Sequence, residues 1–558
     1  MRLSTLKRRN PIEKLCIAVV LVVLISIMNC SAKLNKSVKP RSVYHISLEN
    51  RSIDEQMLVK SIQGLINREI KNGNKSLPMV YTFCRKSDYL WFEDYKNHYS
   101  LEPHLEDVKS LYEFASNHIK NYVLWDPQKP WTLTVACSYA AQQKALIFTP
   151  QLARNFAADK KLKLVMDFTK SIWYYPELGS TSSQHISNKS DGYAWAIEHV
   201  LPTSNMTELI YLRDDIPDLK DYIFFNTIFA LNLDPLNNSG EISLLRTILS
   251  KFPTETPVLG WADAMYATKP GQDNVTVEHA LVTLLSQAND FLIAADYANN
   301  LSFHGLFAPP SELKQKEPDG IYVKGKKYVC FIVSDGDNLQ YDFNRMRSDL
   351  WTTPSRGKFP LGWTLAPTLV KYAPFIAWYY YHSAALSNFN DTFVAGPSGY
   401  AYVHPSTLDK ASLLRFLELT KESMGAMDMT CLVSIDSRGR EGKTYQEFAE
   451  NTSVTGIFMV ESDHANYPPY HDHVFVAGSH NMGYIVESIR VNKQSVQQLA
   501  SEIKVAANKH PFVMLYVNAW ENNLETVYQT VKSLQSGGDY YVLGPHEFMD
   551  CLIQYGKE

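Results

Sequence analysis

The amino-acid sequence predicts an α/β protein: a multi-part N-terminal α/β region followed by a C-terminal (β/α)8-barrel-like domain. Three observations carry this reading. Short apolar runs alternate with amphipathic helical stretches over most of the chain. Eight such runs fall between residues 321 and 558, matching a (β/α)8 barrel in count and size. Most of the eight end in acidic, amide or Gly/Pro groups, at the strand ends where barrels carry their active residues.

Taken in order, residues 1–30 read as a targeting segment rather than fold. Arg2, Lys7, Arg8, Arg9 and Lys14 form a basic start, and residues 15–28 an apolar stretch too short for an ordinary spanning helix. Cys30 then precedes a polar run, which resembles a loose bacterial lipoprotein signal except that Asn29 departs from the small residue usual there. Residues 1–30 therefore read as a signal peptide, either plain or of the lipoprotein type with a lipid anchor at Cys30. The expected location is extracytoplasmic, secreted or membrane-anchored. Losing the five basic residues and Glu13 takes the net charge from −4 to −8, which argues against nucleic acid as a partner. A chain of 558 residues with 45% hydrophobic residues needs several domains around large cores. Cys84, Cys137, Cys330, Cys431 and Cys551 remain, odd in number and scattered, so neither a disulfide framework nor a CxxC metal site is expected. No cofactor is expected.

Residues 31–42 form a tether. Residues 43–310 make up the N-terminal α/β region, of two or three subdomains. Strand patterns at 43–48, 79–83, 122–125, 145–149, 209–212 and 258–261 are separated by helical ones, such as 54–69 with Leu58, Ile62 and Leu65 on one side. The polar clusters Gly64 to Asn67 and 296–302 read as turns and caps. His304 reads as structural, and Asp263 as able to reach a cleft. A polar, Pro-containing stretch at 308–326 marks the main boundary.

The C-terminal domain, residues 321–558, starts with 328–333, a continuous apolar run that reads as a strand buried on both faces. It breaks off at Ser334-Asp335-Gly336-Asp337-Asn338. Further runs lie at 361–365, 392–395, 430–435, 456–460, 484–486, 512–517 and 540–543, the sixth contested by 474–476. Reading only their exits gathers Asp335, Asp337, Asn338, Thr364, Tyr400, Tyr402, Asp436, Glu461, Asp463, Glu487, Asn518, Trp520 and His546. Carboxylates, amides and aromatics on one rim are the equipment for glycosidic bond cleavage. One carboxylic acid protonates the leaving oxygen and another acts as base or nucleophile, while aromatic faces hold the sugar rings.

The run Gly396-Pro397-Ser398-Gly399-Tyr400-Ala401-Tyr402 resembles the signature of the GxGYxYP putative glycoside hydrolase family. The segments Ser334 to Asn338, Gly362-Trp363-Thr364, Ser61 to Asn67 and Asp296 to Ser302 are similar to other blocks of that family. Aligned on Gly399-Tyr400, Pro397 stands where the family name writes its first Gly and Val403 where it writes its Pro. The resemblance implies a multi-part N-terminal region, a hydrolase-like C-terminal domain and a carbohydrate substrate.

The catalytic candidates are therefore Asp335, Asp337 and Glu461. Glu461 closes an apolar run whose burial would raise its pKa toward an acid's role. The substrate-binding candidates are Asn338, Trp363, Ser398, Tyr400, Tyr402, Asp436, Asn518 and Trp520. Two other readings compete. Asp335 and Asp337 could hold a metal with His464, His471 or His473, as in a metal-dependent carbohydrate esterase or deacetylase. The aromatic rim also fits a non-catalytic surface glycan-binding protein.

Overall fold

The computed structural model describes residues 41–558 except 158–161, 176–178, 263–273, 387–389, 436–441, 461–472 and 477–482. The leader with Cys30, the tether up to residue 40, and Asp263, Asp436, Glu461, Asp463, His464 and His471 lie outside the described residues. Among those described, no helix is long and apolar enough to cross a membrane.

The N-terminal region forms three small parallel sheets and a hairpin. The first sheet runs Met79–Phe83, Ser42–Ser47, Glu102–Leu105, and the second sets Asn121–Leu124 between Ala145–Phe148 and Lys163–Asp167. The third has four strands in the order Ile228–Leu231, Asn205–Tyr211, Pro257–Gly260, Phe291–Ala294, which leaves Phe291–Ala294 at an edge.

The helix Ile53–Lys71 ties these parts together. Asp54 and Glu55 in its first turn and Arg68 and Lys71 in its last complement the helix dipole. Leu58, Ile62 and Leu65 are buried, as the sequence periodicity predicts, but so are Lys60, Gln63 and Asn67. Those three polar side chains meet the 296–302 cluster. Lys60 Nζ donates to Thr82 Oγ1 (2.8 Å) and to Asn299, Gln63 donates to Asn300 Oδ1 (2.6 Å), and Asn67 donates to Ser302 Oγ (3.0 Å). The clusters read as turns and caps thus supply a buried network in which Lys60, Gln63 and Asn67 are met by Asn299, Asn300 and Ser302. His304 bonds the Tyr95 hydroxyl through Nδ1 (2.9 Å), and burial lowers its pKa to about 3, keeping the ring neutral.

The C-terminal domain is one ten-stranded, mostly parallel sheet curled into a half-barrel: barrel-like, as the sequence predicts, but with two strands more than the eight expected. Its path begins Gly483–Ile485, His473–Val476, Gly456–Met459, Cys431–Ser434 and Asp391–Ala395. It continues through Leu361–Leu365, Lys327–Val333 and Phe512–Val517 to Glu487–Val491, with Tyr540–Leu543 pairing the first half of Lys327–Val333. Both contested segments of the sixth unit are strands, and His473–Val476 lies antiparallel to its neighbours. The first and last strands of the path are separated in sequence by Val486 alone, so that one residue joins the two ends of the sheet. This corrects the reading of Glu487 as a strand exit. It opens a strand instead, and its carboxylate pairs with Lys509 (3.3 Å).

Strand alternation sends two sets of side chains to opposite faces. Val329, Phe331 and Val333 join the large core, while Tyr328, Cys330 and Ile332 join a second core on the inner face. Phe512, Met514 and Tyr516 and also Phe458 reach that inner core, which is completed by Phe548, Met549, Cys551 and Leu552 of the helix Pro545–Tyr555. A barrel of this kind is ordinarily filled by its strands' own side chains; here they share the inner core with one helix.

Phe548→Ala should therefore cost about 3–5 kcal/mol of stability, read from the urea midpoint. A loss below about 1 kcal/mol would mean that the helix does not support the sheet.

Candidate active site

The strand Lys327–Val333 delivers the site. The Ser334 N–H still donates to the Val517 carbonyl (2.9 Å), after which the chain turns and Asp335 takes the left-handed conformation, φ 74°. The Gly336 N–H donates to Thr364 Oγ1 (2.9 Å), which itself donates to the Val333 carbonyl (2.6 Å). A Cβ on Gly336 would lie 2.0 Å from the Thr364 carbonyl carbon, and one on Gly396 would lie 2.3 Å from the Asp337 nitrogen. Glycine at both positions lets three strand ends close on one another.

The exits are also bonded to the N-terminal region. Asn338 bridges Ala294, and Tyr402 bridges Leu292 with its N–H on the Leu292 carbonyl (2.8 Å). The edge strand Phe291–Ala294 thus carries both the acidic loop and the loop of Tyr402. Between them opens a cavity of about 650 Å³ lined by Asp335, Asp337, Asn338, Gln340, Tyr402, Arg490, Asn492, Tyr516, Asn518 and Trp520, with Trp261 and Glu278 from the N-terminal side.

The three carboxylates differ in surroundings. Burial raises the pKa of Asp335, but hydrogen bonds from the Ser334 hydroxyl and the Trp520 indole favour its ionised form. Burial pushes Asp337 well above the usual carboxylate range, and the neighbouring charges of Asp335 and Glu278 push it further. Glu278 is hydrogen-bonded to the Tyr402 phenol. The Tyr516 phenol is raised by burial and by Asp335 and Asp337, with Arg490 pulling the other way. Both carboxyls are thus raised by burial, Asp337 further than Asp335, whose ionised form has hydrogen-bond donors beside it. Environments that push two carboxyls apart are the basis of acid–base pairs.

Of the residues predicted from sequence, Asp335, Asp337, Asn338, Tyr402, Asn518 and Trp520 meet in this cavity. Trp363 does not. It is fully buried on the outer face of the sheet, its indole donating to Asp391 Oδ1 (2.9 Å) and packed against Trp351. Ser398 is also buried, and its hydroxyl braces the loop through the Val403 carbonyl and the Ile435 N–H (3.2 and 3.1 Å). Tyr400 faces away from the cavity toward Glu208; burial and that carboxylate push its phenol up to about 12. Asp436 and Glu461 lie outside the described residues, and of the loop histidines only the backbone of His473, in its strand, is described. His546 is not on this rim. It stands at the opposite strand ends, by Thr430 and Glu317. There it forms, with Asp319 and Asp550, the group among the described residues whose side chains could jointly hold a metal ion; Asp335 and Asp337 are in no such group.

Sequence reasoning missed Glu278, Arg490, Asn492, Tyr516 and Gln340. Glu278 is a lone acid in the apolar helix stretch of Asn274–Gln287, a signal that could have been read. Tyr516 follows from alternation with Phe512 and Met514, and Arg490 was hidden by ending the strand at Val486.

Family models match nearly the whole described chain. Residues 42–117, 119–204 and 207–305 match the GxGYxYP first, second and third N-terminal domains, and residues 325–552 match the GxGYxYP putative glycoside hydrolase C-terminal domain. No curated protein matches. Among solved structures, a putative hydrolase from Bacteroides thetaiotaomicron VPI-5482, determined at 1.25 Å, is similar in fold. Its TM-score is 0.76 at 20% identity, over 92% of this chain and 95% of that one.

Asp337 sets a pH dependence. Its folded-state pKa is raised, while in the unfolded chain it titrates near about 4. Between the two values the folded protein holds a proton that the unfolded chain has lost, so stability falls as pH rises through that window. Asp337→Asn lacks this fall. Its melting temperature should exceed that of the wild type at pH 7 and converge with it near pH 4. Parallel melts at both pH values check this, and an equal gap at each would contradict it.

Proposed function

Because this chain belongs to the GxGYxYP putative glycoside hydrolase family, we propose that its main cavity cleaves a glycosidic bond of a poly- or oligosaccharide. The observation that carries the reading is that Asp335 and Asp337 line one cavity with aromatic walls, with burial and neighbouring charges raising Asp337 further than Asp335. Asp337 donates its proton to the glycosidic oxygen as the bond to the anomeric carbon breaks. Asp335, steadied by Ser334 and Trp520, faces the positive charge that grows on the sugar ring and serves as base or nucleophile, so that water ends on the anomeric carbon and its proton restores the acid. Glu278 keeps Asp337 protonated through its own charge and orients Tyr402. Trp261, Trp520 and Tyr402 offer ring faces to the sugar, and Asn338, Asn492 and Asn518 its hydroxyl partners.

A non-catalytic glycan binder would use the same walls, and the acid distinguishes the two. Against a panel of polysaccharides and oligosaccharides, Asp337→Asn and Asp335→Asn should each lower kcat by about 10²–10⁴ while leaving glycan binding within a few-fold. Glu278→Gln should move the basic limb of the pH–rate profile to lower pH, because one negative charge that holds the proton on Asp337 is gone. Binding without turnover in the wild type across the panel would leave a binder.

A further inference from the structure

A second cavity, of about 340 Å³, shares no lining residue with the first. It opens where the end of the helix Ile53–Lys71, the strand Asn205–Tyr211, the helix Lys220–Asn226 and the helix Leu369–Tyr372 come together. Glu208 stands in its wall, 3% exposed. A carboxylate that deep is costly unless its lone pairs are met. Here they are met by the phenols of Tyr222 (3.2 Å) and Tyr372 (3.1 Å) and by Lys371 Nζ (2.6 Å). Glu208 is therefore fixed, and its charge is answered by Lys371.

Lys71 is a second ammonium in the same wall. It donates to Asn226 Oδ1 (2.6 Å) and lies over the Phe225 ring, 4.8 Å from its centroid. Among the described residues it has no carboxylate within ion-pair distance. An ammonium has three donors, and Asn226 Oδ1 accepts from one of them. Two ammonium groups against one carboxylate give the cavity an excess positive charge, and Lys71 is exposed at its mouth, open to an incoming ligand. The rest of the lining is what a polyhydroxylated ligand needs: amides of Asn205 and Asn226, the Thr207 hydroxyl and the aromatic rings. The volume lies in the range of small-ligand sites.

We propose that this cavity binds an acidic monosaccharide unit, a hexuronate, with its carboxylate on Lys71 and its hydroxyls on Asn226, Asn205 and Thr207. The inference stands apart from the reaction in the main cavity. The test measures binding of D-glucuronate and D-galacturonate, against D-glucose, D-galactose and inorganic sulfate, by calorimetry and ligand-observed NMR on the whole protein. The uronates should bind wild type and Asp337→Asn alike. Lys71→Met should weaken them at least about tenfold, the loss expected for one charge-assisted hydrogen bond. The neutral hexoses should bind about tenfold more weakly than the uronates in the wild type. Asn226→Ala, which leaves the ammonium in place, should weaken uronates several-fold, and it serves if Lys71→Met fails to melt like the wild type. The proposal is overturned if the wild type binds no uronate or binds neutral hexoses equally well. Sulfate binding as tightly as the uronates would overturn it too, as would uronate binding that Asp337→Asn abolishes and Lys71→Met keeps, since the ligand would then sit in the main cavity.

Discussion

The candidate site depends on one steric constraint, the approach of three strand ends to within the reach of a hydrogen atom. Gly336 lies against the Thr364 carbonyl, and Gly396 lies against the Asp337 backbone. Any larger residue at either place would push the acidic loop off the sheet. The constraint also accounts for the electrostatics. With backbone packed so tightly under the turn, the carboxylates of Asp335 and Asp337 are pressed into a region short of water. Burial first, and the charge of Asp335 second, push Asp337 toward holding its proton. Geometry and protonation are thus a single property of the turn.

The N-terminal region is part of this device. Its edge strand Phe291–Ala294 bonds both Asn338 and Tyr402, and Trp261 and Glu278 close the cavity from that side. A few residues after that strand, Asn299 and Asn300 enter the buried network of Lys60 and Gln63. A buried network of this kind holds its partners in one arrangement only when every member is satisfied. It links the first N-terminal sheet to the edge strand that carries the cavity's two loops.

Much of this was legible in the sequence, for definite reasons. The break from 328–333 into Asp335 and Asp337 is a change from buried apolar to acidic that only a cavity, a cation or a cap can explain, and Asn518 and Trp520 repeat it after the neighbouring strand. Tyr402 was legible through its glycine-rich loop. Trp363 was misread because a strand residue's face depends on register, which sequence alone did not fix; one step along the strand moves a side chain from cavity to core. Ser398 sits in the turn after Asp391–Ala395, where its hydroxyl is drawn inward by backbone partners from Val403 and Ile435. Glu278 and Arg490 were missed because they come from the middle of a helix and of a strand rather than from an exit. His546 and Glu487 were misplaced for a related reason. The first follows a strand that pairs with only the lower half of its neighbour, and the second begins a strand that the pattern had ended.

The helix that completes the inner core of the sheet follows every strand in chain order. During synthesis on the ribosome, Phe512 and Phe458 must therefore wait without the rings and side chains of Phe548 and Met549 that complete their core. Until that helix emerges the nascent sheet leaves part of its inner apolar face uncovered, which makes it a natural client for chaperones that shield unfilled sheets.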